Sequence, residues 1–397
     1  MNSFRPDVTI IGGCGHVGFP LGLIFAQAGK KVALLDINQE NIKKIQNGIP
    51  PFKEAGAQPC LKEVLKNKTL HCTTDPNVIS ASTFVICVTG TPLDEYLNPR
   101  IDAVLKILEQ YFPYFKSNQI LILRSTLFPS TSEKVSLYFR KKKLDVHVTY
   151  CPERIAEGYA LEEFKSLPQI ISGFTDYGIQ NAQTLFSSVT NKFILLSPLE
   201  AELTKLFTNT YRYIHFSISN AFYQMASHHN LDFKKIYHAI THEYPRMASF
   251  PKPGFTAGPC LLKDTMQLSV FAPDQFPLGQ AARLINEGMP LYIFDQIRSK
   301  MDISAMNVGI LGMAFKGESD DSRDSLSYKL MKILKLHAKK VLCSDEYILN
   351  DFFLTKEELI ERSDIIIVGT PHNAYGSLNL RDKVVYDIWG VLKYVQS

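Results

Sequence analysis

Val8-Thr9-Ile10-Ile11-Gly12-Gly13-Cys14-Gly15-His16-Val17-Gly18, followed by Lys31-Val32-Ala33-Leu34-Leu35-Asp36, is the stretch on which the fold turns. The first run reads as a buried strand that breaks into glycines and passes into an apolar, Gly/Ala-containing helix ending near Ala28. The second reads as another strand, and it ends on an acid. Gly13-x-Gly15-x-x-Gly18 between strand and helix, with Asp36 eighteen residues beyond Gly18, is a dinucleotide fingerprint in its required context. Glycines let the backbone approach a pyrophosphate, the helix N-terminus favours its charge, and the acid can accept from ribose hydroxyls. Strand, helix and acid together weigh against a mere tight turn. Asp36 would also repel a 2′-phosphate, so the expected cofactor is NAD rather than NADP.

Further apolar runs at Phe84–Val88 and Ile120–Leu123, separated by helix-like segments, predict right-handed crossovers and a parallel sheet reaching about residue 196. Ser197-Pro198-Leu199-Glu200 then carries the signals of a helix start, with a capping box between Ser197 and Glu200. No Gly or Pro interrupts the chain from Glu200 to His229, which predicts a helix about 45 Å long. A Pro/Gly-rich loop follows at 244–258, and a second helical stretch at Phe276 to Met301. Asn307-Val308-Gly309-Ile310-Leu311-Gly312 echoes the opening strand and turn, and Lys339-Lys340-Val341 with Asp345 echoes Lys30-Lys31-Val32 with Asp36. The expected architecture is α/β: two Rossmann-like, doubly wound domains flanking a helical middle, with boundaries at 1–196, 197–301 and 302–397.

The 397 residues are 45% hydrophobic and 21% charged, an ordinary globular balance that argues against disorder and coiled coil. A net charge of +4, without a dense basic run beyond Arg140–Lys143, argues against nucleic acid or a membrane surface as the main partner. The seven cysteines show no CxxC and no zinc-ligand spacing, so neither a disulfide framework nor a metal site is expected. A reducing, cytoplasmic setting fits. Neither a signal peptide nor an apolar run of about eighteen residues is read, and the expectation is a soluble protein.

Cys260 stands where a glycine-containing loop meets a predicted helix, a place where positive charge or a helix N-terminus can activate a thiol. The alternative is an inert core cysteine. Asp264 is four residues on and shares a helical face with it. Lys205 and Asn209, also four apart, lie on one side of the long helix, although a lysine beside Leu203, Leu206 and Phe207 is equally a snorkelling surface residue. Glu153 and Glu157 follow a strand, at the sheet edge where open α/β folds bind ligands. They read either as paired carboxylates in a cleft or as a capped turn.

Gly13-x-Gly15-x-x-Gly18, Thr91-Pro92-Leu93-Asp94, Arg124-Ser125-Thr126, Cys151-Pro152-Glu153-Arg154, Lys205 with Asn209, Gly258-x-Cys260-x-x-Lys263-Asp264 and Gly312-x-Ala314-Phe315-Lys316 to Arg323 together resemble the UDP-glucose/GDP-mannose dehydrogenase family. They occur in the family's order from about residue 8 to 390. The resemblance implies NAD-dependent oxidation of the C6 alcohol of a nucleotide-sugar to a carboxylate, with two NAD reduced per sugar. It implies that Cys260 adds to the aldehyde as a thiohemiacetal and becomes a thioester, which avoids releasing the aldehyde. Lys205 and Asn209 would stabilise the oxyanion. Asp264 would orient a water or relay a proton, and Glu157 with Thr126 forms the general-base region.

By the same resemblance Gly13, Gly15, His16, Val17, Gly18, Asp36, Thr91, Pro92, Ser125, Lys263 and Arg323 bind the cofactor. Glu153, Arg154, Arg246, Gly254, Phe255, Phe315 and Lys316 bind the substrate, with Arg246 reaching a sugar across a homodimer formed through the central helix. The three domains become NAD-binding, helical dimerisation with the catalytic cysteine, and UDP-binding. The substrate implied is a UDP-hexose or UDP-N-acetylhexosamine, with a lean toward the latter from the Cys151–Arg154 and Tyr244-Pro245-Arg246 segments.

Departures from the family are Pro259 before Cys260, Thr256 and Ala257 where glycine is common, His16 where tyrosine is frequent, Ala221 where many members have glutamate, and no arginine after Trp389. Two rival readings remain. One is a hydroxyacid-type dehydrogenase of the same architecture, which needs no cysteine, so that Cys260 with Lys205 argues against it; the other is an NAD- or nucleotide-sugar-binding protein without turnover.

Overall fold

A computed structural model describes residues 4–256, 258–380 and 382–393. The first sheet is eight-stranded, in the order β3-β2-β1-β4-β5-β6-β7-β8. Its strands are β1 Val8–Ile11, β2 Val32–Leu35, β3 Leu70–Thr73, β4 Phe84–Cys87, β5 Gln119–Leu123, β6 Val146–Tyr150, β7 Gln169–Gly173 and β8 Phe193–Leu195. β1 pairs in parallel with β2 through Val8 opposite Val32, and with β4 through Val8 opposite Phe84. The strand order reverses between β1 and β4, and that crevice is where doubly wound folds bind ligands. Both faces are covered: Val8, Ile10 and Phe19 belong to one apolar layer, Ile11, Val85 and Leu121 to the other. Such two-sided burial is what continuous apolar strands require.

One pairing departs from the parallel reading. β7 runs antiparallel to β6, with Thr149 opposite Gly173 and Tyr150 opposite Ser172, and β8 then pairs in parallel with β7. The segment between β6 and β7 holds only the seven-residue helix Ala160–Ser166, which packs against the helix Gly18–Gln27. The chain therefore returns along β6 without completing the crossover that a parallel neighbour needs.

A 31-residue helix, Pro198–His228, follows the first sheet. At its start the Glu200 carboxylate accepts from the Ser197 backbone N–H at 2.8 Å and from its hydroxyl at 2.7 Å, satisfying groups that a helix end leaves orphaned. Downstream come the helices Phe233–Thr241, Leu261–Phe271 and Pro277–Arg298. The second sheet, in the order β10-β9-β11-β12, is parallel throughout: β9 Asn307–Leu311, β10 Lys340–Ser344, β11 Ile365–Val368 and β12 Val384–Tyr386.

By its contacts the chain divides into two compact units, Met1–Phe207 and Thr208–Ser397. That division falls inside the long helix, whereas the boundaries expected at 196/197 and 301/302 fall in the connections before Pro198 and after Arg298. Among the described residues no helix is long and apolar enough to cross a membrane.

Candidate active site

In the first unit the turn after β1 is shaped by its glycines. Gly12 has φ of +77°, a backbone conformation that side chains with a Cβ rarely adopt. A Cβ on Gly13 would lie 2.8 Å from Leu34 Cα, and one on Gly18 would lie 2.5 Å from the Gly12 carbonyl oxygen. Both glycines are therefore demanded by packing. Gly15 differs, because its Cβ would meet nothing nearer than the Gly12 oxygen at 3.6 Å. Its open side suits a phosphate approaching the backbone.

Val17 is the N-cap of the helix Gly18–Gln27. The Asp36 carboxylate accepts from the Cys14 N–H at 2.8 Å and from the Asn38 N–H at 2.9 Å, which locks the turn to the end of β2. Beside it Ile37 is 83% exposed, a residue the sequence reading passed over. Its signal is an aliphatic side chain directly after the acid at a strand end.

The loops after β4 and β5 are tied together, Thr91 Oγ1 donating to the Thr126 carbonyl at 2.8 Å and Ser125 Oγ to that of Thr89 at 2.6 Å. Pro92 continues the first of these loops. Arg124, buried at the end of β5, pairs with Glu153 and donates to Gln169 at 3.0 Å. The other Glu153 oxygen accepts from the backbone N–H groups of Arg154 and Ile155, and Arg154 reaches the Pro168 carbonyl. Glu153 and Arg154 thus brace the segment that carries Glu157. Glu54 supports it too, accepting from the Gly158 N–H at 2.9 Å. Glu157 Oε2 lies 3.8 Å from His16 Nδ1, and the His16 ring stacks on Phe52 with centroids 4.0 Å apart.

Lys205 sits half-buried on the long helix. Three residues before it the fully buried Glu202 accepts from the backbone N–H groups of Ser130 at 2.6 Å and Ser132 at 2.8 Å. Burial pushes the Glu202 carboxyl above its ordinary range, against the pull of those N–H donors. Sequence reasoning missed Glu202, whose partners are some seventy residues away; its only signal is an acid one turn before Lys205.

In the second unit Cys260 is the N-cap of the helix Leu261–Phe271 and is exposed, while the other six cysteines are buried. Its position is at the positive end of an eleven-residue helix, where charge on sulfur is favoured. Asp264 is fully buried one turn along. Its two oxygens are claimed by Asn209 Nδ2 at 2.6 Å and Lys263 Nζ at 2.8 Å.

Upstream, Phe255 is buried in the core with Met289 and Ile293, and Ala257 lies outside the described residues. A Cβ on Gly254 would fall 2.4 Å from the Trp389 ring, and one on Gly258, where φ is +103°, would fall 2.4 Å from Phe315. Backbone lies directly on aromatic rings at both glycines. Lys316 Nζ is 5.7 Å from the centre of the Phe315 ring, and Arg323 is clamped by Asp321 through Nε at 2.9 Å. Arg246 is exposed, its guanidinium 5.1 Å from the Tyr244 ring centre.

The internal repeat has a physical counterpart. Asp345, at the end of β10, accepts from the N–H groups of Met313 at 2.6 Å and Ala314 at 2.9 Å, as Asp36 does from Cys14. Asp345 also meets His372 Nε2 at 3.2 Å, and both side chains are fully buried. Burial works to raise the Asp345 carboxyl, yet His372 and the backbone donors outweigh it and hold the group below its ordinary range.

Three descriptions of the UDP-glucose/GDP-mannose dehydrogenase family match the sequence: its NAD binding domain at 7–190, its central domain at 199–288 and its UDP binding domain at 309–394. A UDP-N-acetyl-D-mannosamine dehydrogenase of Pyrococcus horikoshii is 29% identical over 96% of this chain and 95% of its own. An NDP-N-acetyl-D-galactosaminuronic acid dehydrogenase of Ralstonia solanacearum is 24% identical over the same shares. Among solved structures, the UDP-D-ManNAc dehydrogenase of Pyrococcus horikoshii superposes with a TM-score of 0.89 at 27% identity, covering 97% of this chain and 96% of that one. The UDP-N-acetyl-mannosamine dehydrogenase of Staphylococcus aureus gives 0.87 at 25%, covering 98% and 96%.

Proposed function

Because the chain belongs to the UDP-glucose/GDP-mannose dehydrogenase family, we propose that this NAD-dependent nucleotide-sugar dehydrogenase oxidises the C6 alcohol of a UDP-N-acetylhexosamine to the uronic acid through Cys260. The observation that carries the mechanism is the exposed Cys260 at a helix N-terminus, one turn from a buried Asp264 that Asn209 and Lys263 hold. The sugar class is supported by full-length relatives named for N-acetylmannosamine and N-acetylgalactosaminuronic acid.

The turn from Gly12 to Val17, open at Gly15 and tied to Asp36, fits NAD, which when bound supplies the hydride acceptor for both oxidations. Thr91, Pro92 and Ser125 edge that crevice, His16 and Ile37 flank it, and Lys263 and Arg323 are assigned to the cofactor as well. Glu157 with Thr126 takes the proton of the C6 hydroxyl or of the hydrolytic water. The Cys260 sulfur forms a bond to the C6 aldehyde carbon, and Lys205 with Asn209 stabilises the oxyanion that results. Oxidation of that thiohemiacetal leaves a thioester. Water, oriented by Asp264, then breaks the carbon–sulfur bond, releasing the carboxylate and returning the thiol.

Gly254, Phe255, Phe315 and Lys316 are assigned to the substrate, as are Glu153 and Arg154, which brace the Glu157 segment. Arg246 donates to the sugar nucleotide from a second copy of the chain. A homodimer is supported by one face of the long helix, where Tyr211, Ile218, Phe222 and Met225 fall within a narrow stripe and are 40% to 61% exposed.

The test is NADH production from a panel of UDP- and GDP-sugars, counted per sugar consumed. Two NADH per UDP-N-acetylhexosamine in the parent, lost in Cys260→Ser, is the expected result. Absence of NADH with every sugar, while NAD still binds, would sink the reading.

A further inference from the structure

Two buried amides outside the proposed chemistry are linked to each other, and one of them bonds the loop that leads into Cys260. Asn220 on the long helix and Asn286 on the helix Pro277–Arg298 are both fully buried. Asn286 Nδ2 donates to the Tyr213 carbonyl at 3.0 Å, Asn220 Nδ2 donates to Asn286 Oδ1 at 2.9 Å, and the Gly254 N–H donates to Asn220 Oδ1 at 2.8 Å. The three bonds run head to tail. Each amide's orientation is set by the one behind it, and the last acceptor is aimed at a loop backbone rather than at another helix. Buried amides are retained only where their hydrogen bonds are met, so the relay holds one arrangement.

We infer that Asn220 and Asn286 are positioning residues for Cys260, fixing where the loop begins and hence where the sulfur stands. Gly254 is held from two sides: Asn220 binds its N–H, and Trp389, itself tied to the Gly369 carbonyl at 3.1 Å, closes the space a Cβ would need. The Gly254 carbonyl accepts from the Thr256 N–H at 2.8 Å, which passes the constraint along the chain. Gly258 rests on Phe315, and Cys260 follows as the helix cap. Asparagine at 220 accepts from Gly254 and donates to Asn286 with one side chain. Aspartate keeps the first bond and loses the second.

This inference rests on Cys260 as the nucleophile, but its test does not need turnover. The other six cysteines are buried, so brief alkylation of the native protein by iodoacetamide, without sugar or NAD, reads Cys260. Asn220→Ala is expected to slow alkylation about threefold or more as the sulfur leaves the helix N-terminus. It is also expected to lower kcat about tenfold. Asn220→Asp, which retains the acceptor for Gly254 but loses the bond to Asn286, and Asn286→Ala, which removes that bond from the other side, both fall between Asn220→Ala and the parent.

Alkylation at the parental rate in a folded Asn220→Ala would overturn the relay, as would Asn220→Asp behaving like Asn220→Ala. Should Asn220→Ala not fold, parental alkylation in Asn286→Ala overturns it equally. A parent that alkylates normally but yields no NADH refutes the dehydrogenase mechanism instead, and leaves the relay to the alkylation rates.

Discussion

Asn209, on the long helix, and Asp264, on the helix capped by Cys260, are joined by a 2.6 Å hydrogen bond although 55 residues separate them. With Lys263 on its other oxygen, Asp264 is a buried carboxylate with each oxygen held. Its geometry is thereby set before any ligand arrives, and it holds in place the amide of Asn209, the donor assigned to the oxyanion.

Asp264→Asn keeps the shape and removes the charge, leaving Lys263 beside a neutral amide. We expect kcat to fall about a hundredfold or more, in a protein that unfolds like the parent in chemical denaturation. A loss of stability instead would show that Asp264 serves the fold. Asp264→Ala, which removes the acceptor of both Asn209 and Lys263, should also lower the melting temperature.

The three fingerprint glycines should separate by phenotype. Gly13→Ala and Gly18→Ala place a methyl group under 3 Å from backbone atoms, so each should cost about 1–3 kcal/mol of stability in chemical denaturation. Gly15→Ala makes only an ordinary contact, 3.6 Å from the Gly12 oxygen. It should unfold like the parent yet bind NAD at least tenfold more weakly. Equal loss of stability in all three would mean that the turn is built for packing alone.

Asp345 sets a pH dependence with a definite sign. Its folded carboxyl lies below the ordinary value of 3.8, so its stabilisation is present above that pH and is lost as pH falls through the folded value. Asp345→Asn should therefore melt below the parent at neutral pH, and the gap should narrow only under about pH 4. A gap that stays constant through acidification would show that the charge of Asp345 contributes nothing.

The apolar stripe on the long helix predicts association. The parent should sediment at twice its 44.9 kDa chain mass, and Ile218→Glu should shift it to monomer while the helical circular dichroism signal persists. A parent that remains monomeric at micromolar concentration would remove the basis for Arg246 acting on a second copy's substrate.

What could be read from the sequence followed from covalent spacing. Gly13, Gly15, Gly18 and Asp36 lie within one β-turn-α-β unit, whose geometry is set by local backbone sterics and strand burial. Cys260 and Asp264 are one helical turn apart, and the Asp264 N–H does bond to the Cys260 carbonyl at 2.9 Å. Lys205 and Asn209 are likewise one turn apart on the long helix, whose start is written in Ser197 and Glu200. The antiparallel turn of β7 could not be read, because strand direction depends on where a connecting helix packs.

Tertiary structure decided the partners. Asn209 on Asp264, Glu202 on the Ser130–Ser132 backbone, and Asn286 through Asn220 to Gly254 each join segments at least 34 residues apart. It also decided that Asp345 meets His372, 27 residues further along the chain, at 3.2 Å. The reason is physical: local sequence sets backbone conformation and periodicity, while the pairing of buried polar groups depends on which surfaces the packed core brings together, where an unmet donor is costly.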